Sequence, residues 1–389
     1  MKDFKTRRLI SYLCASGLLS LSGEALASAF QIWEQDGASI ANYHAGYAAE
    51  AADASTAFYN PAGITRFKNQ QLVVAGSAIT PSVKYQGTIS VSTLAAGEPM
   101  TVTSQGGRFA FVPAFHYVAP ITDYLGFGFS VDVPFGAELN YGHNTVLRYA
   151  ATESGIKVID ISPSLGLQVT QKASIGLGVD VQKMSGEFDQ VGTMSDETLD
   201  SDGITNADDT AYGYHAGILY EFSPDTRAGL SYHSKVKHHL SGTASFSGPL
   251  ADFFDNPQLM SHDLLNITLP AYTALSAYHR TQQFAFMGSI IYTQWNVMKY
   301  FVLQNVAGLA AGTLEPSTNI IVTIPQHFQN TWNISVGADY FVTDQITLKA
   351  GLGYDQSPVQ NAYRTVSLPD NDTSLMEGEK IVVPTHLRG

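Results

Sequence analysis

Along much of this chain apolar side chains alternate with small or polar ones at a period of two, and no other feature limits its fold as strongly. Phe109, Phe111, Pro113, Phe115 and Tyr117 share one side, with Ala110, Val112, Ala114 and His116 on the other. Leu125, Phe127, Phe129, Val131 and Val133 then oppose Gly126, Gly128, Ser130 and Asp132. The pattern returns at Ile159–Val169, at Trp332–Tyr340 and at Ile346–Tyr354. Successive strand side chains point to opposite faces, so each run predicts a strand with one greasy and one wettable face.

A soluble sandwich shows the same period, and three further features separate the two. The strands are long, as a tilted bilayer crossing requires. Aromatic residues cluster at strand ends, where interfacial girdles lie. Connections alternate short (121–123, 171–172, 223–225, 280–282, 343–345) with long (about 83–107, 137–154, 189–209, 243–263, 304–326). Only 14% of residues are charged while 44% are hydrophobic, yet past residue 30 no run of about 18 apolar residues occurs. The reading is an all-β chain, a transmembrane antiparallel β-barrel. A barrel pairs every backbone group that hydrocarbon would leave orphaned.

The N-terminus points to export. Lys2, Lys5, Arg7 and Arg8 precede a short apolar stretch, Leu9–Leu21, and Ala25-Leu26-Ala27 reads as a cleavage site. Residues 1–27 are therefore expected to be a signal peptide. It contains Cys14, the one cysteine, so the mature chain is read as having neither disulfide nor cysteine metal site. A net charge of −13 argues against nucleic-acid binding. Residues 28–68 do not alternate, and their Ala- and Gly-rich composition suits a plug inside the lumen. The barrel is read as 69–372, followed by an atypical tail, 373–389.

Four stretches carry a family resemblance: Ser28-Ala29-Phe30-Gln31; Asn60-Pro61-Ala62-Gly63; Asp132-Val133-Pro134-Phe135-Gly136; and Tyr354-Asp355-Gln356-Ser357-Pro358-Val359, with Asn361-Ala362-Tyr363-Arg364 and Pro369-Asp370-Asn371-Asp372 after it. Together they resemble the FadL/TodX family of outer-membrane channels for long-chain fatty acids and other hydrophobic compounds. The resemblance implies fourteen strands, an N-terminal hatch and a lateral wall opening beside a kinked third strand. This chain shows about eleven strands. Its residues after Asp372 lack alternation, which reads as a truncated or frameshifted end.

The resemblance also assigns sites. Asn60, Pro61 and Ala62 would form the hatch turn; Phe30 and Asp355 match ligand-proximal family positions. Pro134, which cannot donate a ladder hydrogen bond, would mark the lateral opening with Phe135 and Gly136. With Leu230, Tyr232, Val236 and Leu240 facing lipid, His233, Lys235, Lys237 and His239 would line the lumen as a cationic ladder for a carboxylate. His233 and His239 lie about 20 Å apart on an extended strand, too far to share a metal. Phe253, Phe254, Leu259 and Met260, together with Leu250, are unusually apolar for a loop and suit first capture of a greasy ligand. The acidic run Asp196–Asp209 contains Asp200-x-Asp202-Gly203, half of a calcium loop without the rest; a solvated loop near lipopolysaccharide is the simpler reading. No nucleophile and base stand at motif spacing, so no enzyme and no cofactor are expected.

The expected function is passive uptake by a monomer of a long-chain fatty acid or other hydrophobic small molecule. Ligand is captured in the loops, passes a hatch rearrangement and leaves sideways into outer-membrane lipid. Uptake of aromatic or other neutral hydrocarbons, and a non-transporting adhesin or structural barrel, remain the alternatives.

Overall fold

The computed structural model describes residues 29–89, 100–194, 196–309, 315–343 and 345–359. The expected signal peptide with Cys14, the stretches at 361–364 and 369–372, and the tail 373–389 lie outside the described residues.

In chain order the strands are β1 (Gln71–Ile79), β2 (Lys84–Ile89), β3 (Met100–Gln105), β4 (Ala110–Pro120), β5 (Leu125–Asn140) and β6 (Glu153–Gln168). Then come β7 (Ala173–Met194), β8 (Asp196–Ser223), β9 (Thr226–His233), β10 (Val236–Ser247), β11 (Gln258–Ser261) and β12 (Leu264–Leu269). The last are β13 (Tyr272–Arg280), β14 (Phe284–Thr293), β15 (Tyr300–Leu309), β16 (Pro316–Pro325), β17 (Thr331–Phe341) and β18 (Thr347–Asp355). One antiparallel sheet runs β1-β4-β5-β6-β7-β8-β9-β13-β14-β17-β18. These are the eleven strands read from the alternation. β10, β11, β12, β15 and β16 branch from this path. The connections read as long loops thus carry strands of their own: β7 and β8 pair as far as Met194 and Asp196, and β15 pairs with β16. No helix among the described residues is long and apolar enough to cross a membrane.

Within the main path, outward residues are apolar and exposed. Leu165, Leu177, Ile218, Leu275, Ile290, Val336 and Leu352 are among them. The inward positions beside them are small or polar: Ser162, Ser164, Ser174, His215, Ser276, Ser289 and Ser335 are buried. Exposed aromatics bracket this apolar band. On the short-turn side stand Tyr124, Tyr220, Phe222, Phe284 and Tyr340, with Phe284 stacked on Tyr340 at 4.9 Å. On the other, Tyr292 packs on Trp332 at 4.6 Å and Tyr214 on Tyr232. Eight residues separate Phe284 from Tyr292, roughly 26 Å along a strand and about 20 Å of height after tilting, near the apolar band of an outer-membrane barrel.

The faces exchange character beyond the second girdle. In β6 the apolar residues shift from outward Ile161 and Leu165 to inward Val158; in β7 they shift from outward Val179 to inward Met184. Outside the band Lys157 and Lys183 are exposed on the outer face. There the wall meets water and its inner side holds apolar residues. The short-turn half is a membrane barrel around a polar plug; the long-loop half is a collar around an apolar core.

Two expected facings are corrected by this arrangement. β9 ends at His233 and β10 begins at Val236, and the break at Ser234–Lys235 slips the phase by one residue. A one-residue slip turns every later side chain to the other face. His233 faces inward as expected, but Val236, His238 and Leu240 are buried inside, while Lys235, Lys237 and His239 are exposed outside. The cationic ladder does not line the lumen. Val133 is likewise buried rather than outward, because a bulge between Asp132 and Phe135 interrupts the β5–β6 register. The half calcium loop is part of β8, and Asp200 is held by Arg148 at 2.8 Å and by the Tyr149 hydroxyl.

Candidate functional site

Residues 29–67 cross the sheet's interior with two short helices, α1 (Gly37–Ile40) and α2 (Thr56–Tyr59), and a 3-10 turn, Pro61–Arg66. A segment so irregular leaves many backbone groups without internal partners, and buried ones must be satisfied. The inward polar side chains of the wall do this. His116 of β4 donates to the Gln35 carbonyl at 2.9 Å. His215 of β8 reaches the Ala57 carbonyl. Arg227 of β9 holds the carbonyls of Ala49 (2.6 Å) and Glu50. Ser276 of β13 accepts from the Ala48 amide, and Ser289 of β14 from the Tyr47 amide, each at 3.0 Å. Trp33 donates to Asp355 of β18 at 3.3 Å, and the next carbonyl, of Glu34, accepts from Ser77 of β1. Both ends of the sheet therefore come round to neighbouring points of the plug.

Asn60 organises the turn below. Its Oδ1 accepts from the Ala62 amide at 3.1 Å, while its Nδ2 donates to the carbonyls of Ala48 (2.6 Å) and Ile218 (3.1 Å). Only a carboxamide offers an acceptor and two donors at once. Pro61 fits the first position of the turn, where its missing N–H costs nothing. Close approach is allowed by Gly176 and Gly217, where a Cβ would overlap Pro61–Ala62 and the Asn60 side chain respectively. Asp36 caps α1 through the amides of Ala38 and Ser39, both at 2.7 Å. Burial would raise its carboxyl, but the bonds from Ser39 prevail and hold it below the ordinary value. Burial does raise Glu50, against the pull of Lys349 at 2.8 Å.

The wall is interrupted beside the plug's first residues. β4 and β5 pair from Pro120↔Gly126 to Phe115↔Val131, and the chain touches β5 again at Gly107↔Leu139. Between Val131 and Leu139 no β4–β5 pairing occurs among the described residues. The N-terminal segment occupies this window. The Ile32 amide donates to the Pro134 carbonyl and the Gly136 amide to the Phe30 carbonyl, both at 2.9 Å. The Gln35 amide group meets both backbone groups of Val133, at 2.8 and 3.0 Å, as a neighbouring strand would.

Above the plug lies a buried polar layer. Asp160 accepts from Ser162 and Gln182, and Asp180 bonds His215 at 2.5 Å. His233 stacks between His215 and Tyr272, with centroids at 5.1 and 4.4 Å. Asp180, His215 and His233 bring ligand atoms within 4.8 Å of one another and could hold a metal ion. The His215 ring already bridges Asp180 and the Ala57 carbonyl, so an ion there would compete with a plug contact. A narrow cleft connects this layer to the window; Phe58, Pro134, Phe135, Val236, Leu269 and Tyr272 help to line it.

Higher still is the collar's apolar core, built around Met184, Leu240, Phe246, Leu265, Trp295 and Phe301. Its floor is Phe30, edge-on to Trp295 at 5.1 Å and to Phe135 at 6.0 Å. Buried polar atoms here without hydrogen-bond partners include Trp295 Nε1, His238 Nε2 and both carboxylate oxygens of Asp263. His238 holds Asp209 through its other nitrogen at 3.1 Å. Arg227, committed to the plug, is the only lysine or arginine buried among the described residues.

The structure thus brings Phe30, Pro134, Phe135 and Gly136 together at the window, Asn60, Pro61 and Ala62 in the plug's turn, and Asp355 beside Trp33. Phe254 and Leu259 pack on the apolar core, below α3 (Pro249–Phe253), while Phe253 (66%) and Met260 (55%) are exposed. Lys235 and Lys237 lie apart, outside. Sequence reasoning missed Gln35, His116, Arg227, His238 and Trp295. Each is one polar or aromatic residue whose partner is distant in sequence; the apolar parity shift at Ile159/Val158 and Val181/Met184 was the available signal for the collar.

A family described as "Outer membrane protein transport protein (OMPP1/FadL/TodX)" has a model matching residues 18–377. The long-chain fatty acid transport protein of Salmonella typhi is 25% identical over 377 residues, covering 90% of this chain and 83% of that protein. Among solved structures, a Pseudomonas aeruginosa FadL homologue aligns with a TM-score of 0.74 at 25% identity, covering 88% of this chain and 85% of its own. The Ralstonia pickettii toluene transporter TbuX aligns at 0.64 with 19% identity, covering 84% and 88%. The second likeness speaks to fold alone.

Proposed function

From the premise that this chain belongs to the FadL/TodX family of outer-membrane transport proteins, we propose that it is a passive channel for long-chain fatty acids that releases them sideways through the β4–β5 window. One observation carries this reading: an apolar core, the room a greasy ligand would open, whose floor, Phe30, belongs to the same segment that hydrogen-bonds across the window. Ligand first meets exposed Phe253 and Met260, then displaces the apolar contacts of the collar. Each step keeps tail area from water, at about 25 cal/mol per Å². Movement of Phe30 with the ligand pulls on the Phe30 and Ile32 hydrogen bonds, so opening the core loosens the window. No nucleotide is needed.

The unpartnered Trp295 Nε1 and His238 Nε2 favour a ligand with a carboxyl end. An orphaned buried polar atom costs about 1–3 kcal/mol, which a carboxyl group would recover. A neutral aromatic hydrocarbon is the second reading, favoured by the lack of any lysine or arginine buried in the collar among the described residues. Uptake of labelled oleate and of toluene by cells lacking their own channel separates the two. Expression of this chain should restore oleate uptake, and Phe30→Ala with Gln35→Ala should change its rate. Restoration of toluene uptake alone would select the hydrocarbon reading, and restoration of neither would reject transport.

A further inference from the structure

Three strands of one stretch of the wall, β6, β7 and β9 with β8 between the last two, end their lipid-facing apolar rows in the same way. In β6 the outward row runs Leu167, Leu165, Pro163, Ile161, Ile159 and then Lys157. In β7 it runs Ile175, Leu177, Val179, Val181 and then Lys183. In β9 it runs Leu230 and Tyr232, and after the break at Ser234 the outer residues are Lys235 and Lys237. All four lysines are exposed on the outer surface, and none makes an ion pair among the described residues. Between them the outer row of β8 carries Tyr214, Tyr212, Thr210 and one acid, Asp208.

Such a patch runs against the chain's net charge of −13. Its height is set by the hydrophobic band: Lys157, Lys183 and Lys235 are each the first outward charge beyond the apolar row, and Lys237 is the next one on its row. A lysine there lays its stem along apolar surface and carries its ammonium to the headgroup level. That level of the outer leaflet is occupied by the phosphates of its glycolipid. Four like charges on one stretch of the outer surface, with only Asp208 among them, repel one another unless an anion lies among them.

We propose that Lys157, Lys183, Lys235 and Lys237 form a docking face for the phosphorylated glycolipid of the outer leaflet, its phosphates lying across β6 to β10 just beyond the aromatic row. The proposal does not depend on what the channel carries.

The probe is diphosphoryl lipid A, with phosphate-free lipid A as comparator, added to the full chain purified in detergent and read by native mass spectrometry. Wild type should bind the diphosphoryl form several-fold more tightly than the phosphate-free form. Each Lys→Gln change at the four positions should weaken binding by about five-fold. A quadruple Lys→Arg variant should keep it, and Lys172→Gln at a short turn should not alter it. Heat-modifiable migration confirms that each variant is folded, and Lys183→Gln and Lys237→Gln carry the test if another of the single changes does not fold. Equal binding of the two lipids, wild-type affinity in folded Gln variants, or displacement of the lipid by equimolar orthophosphate would overturn the assignment.

Discussion

The two halves of this barrel solve opposite problems with the same strands. In the membrane half the outer face meets hydrocarbon and the inner face meets a hydrogen-bonded plug, so Leu177 points out and Ser174 points in. In the collar the outer face meets water and the inner face packs into an apolar core, so Lys183 points out and Met184 points in. Both arrangements read as alternation. What tells them apart is the parity of the apolar residues, which changes within β6 and β7 near residues 158 and 183. A binary pattern reports that a strand has two faces; the solvent on each side decides which face goes where.

Variants at matched positions sharpen the contrast. The largest effect is expected from Trp295→Ala, which removes the apolar core's fully buried indole and should cost about 3–5 kcal/mol, seen as a lower urea midpoint for the collar with weaker oleate binding. Leu177→Arg places a charge in the apolar band at about 2–4 kcal/mol, measurable as a lower fraction of heat-modifiable protein in outer-membrane preparations. Lys183→Leu, six residues further along the same outer row, should leave that fraction unchanged. Arg227→Met orphans the Ala49 and Glu50 carbonyls and should loosen the plug by about 1.5–3 kcal/mol, visible as faster amide exchange in residues 42–50 while β13 and β14 stay protected.

Adjacent histidines give a finer comparison. His238 faces the interior and His239 the exterior, so His238→Leu should weaken oleate binding by roughly ten-fold or more, one charge-assisted hydrogen bond's worth. His239→Leu should leave it within about two-fold, and equal effects would mean that β10 does not have the facing described. The smallest effect is one of pH. Burial holds the His44 imidazole below its ordinary value of 6.5, so the folded plug prefers it neutral. Its stabilising contribution is complete above pH 6.5 and declines as pH falls below that. Protection of the α1 amides, after correction for the slower intrinsic exchange at low pH, should fall between pH 7 and pH 5 in wild type and not in His44→Gln.

Where local pattern and environment agreed, the sequence was a sufficient guide. The apolar rows of β5, β6 and β17 and the break in β5 at Pro134 follow from residues close in the chain, whereas the turn at Asn60 was expected from the family resemblance alone. Lys235 and Lys237 were misplaced because a one-residue break and a change of outside solvent fall at the same point; Val236 and Leu240 looked like lipid contacts and are buried inside. Gln35 was not legible at all. A glutamine acts as a strand partner only when a bulged strand 98 residues away presents an N–H and a C=O at the right spacing, and nothing near Gln35 announces it.

Whether the faces exchange where the barrel leaves the bilayer can be tested with single cysteines at Leu177, Lys183 and Met184, each bearing a small fluorophore, in vesicles containing nitroxide-labelled lipid. Quenching by a nitroxide fixed deep in the acyl chains of the lipid should be strong at 177 and weak at 183 and 184, and a nitroxide-bearing fatty acid, which enters both the bilayer and the collar, should add quenching at 184 while 183 stays weak. Strong acyl-chain quenching at 184 would contradict the account, because the collar's apolar residues would then be facing lipid.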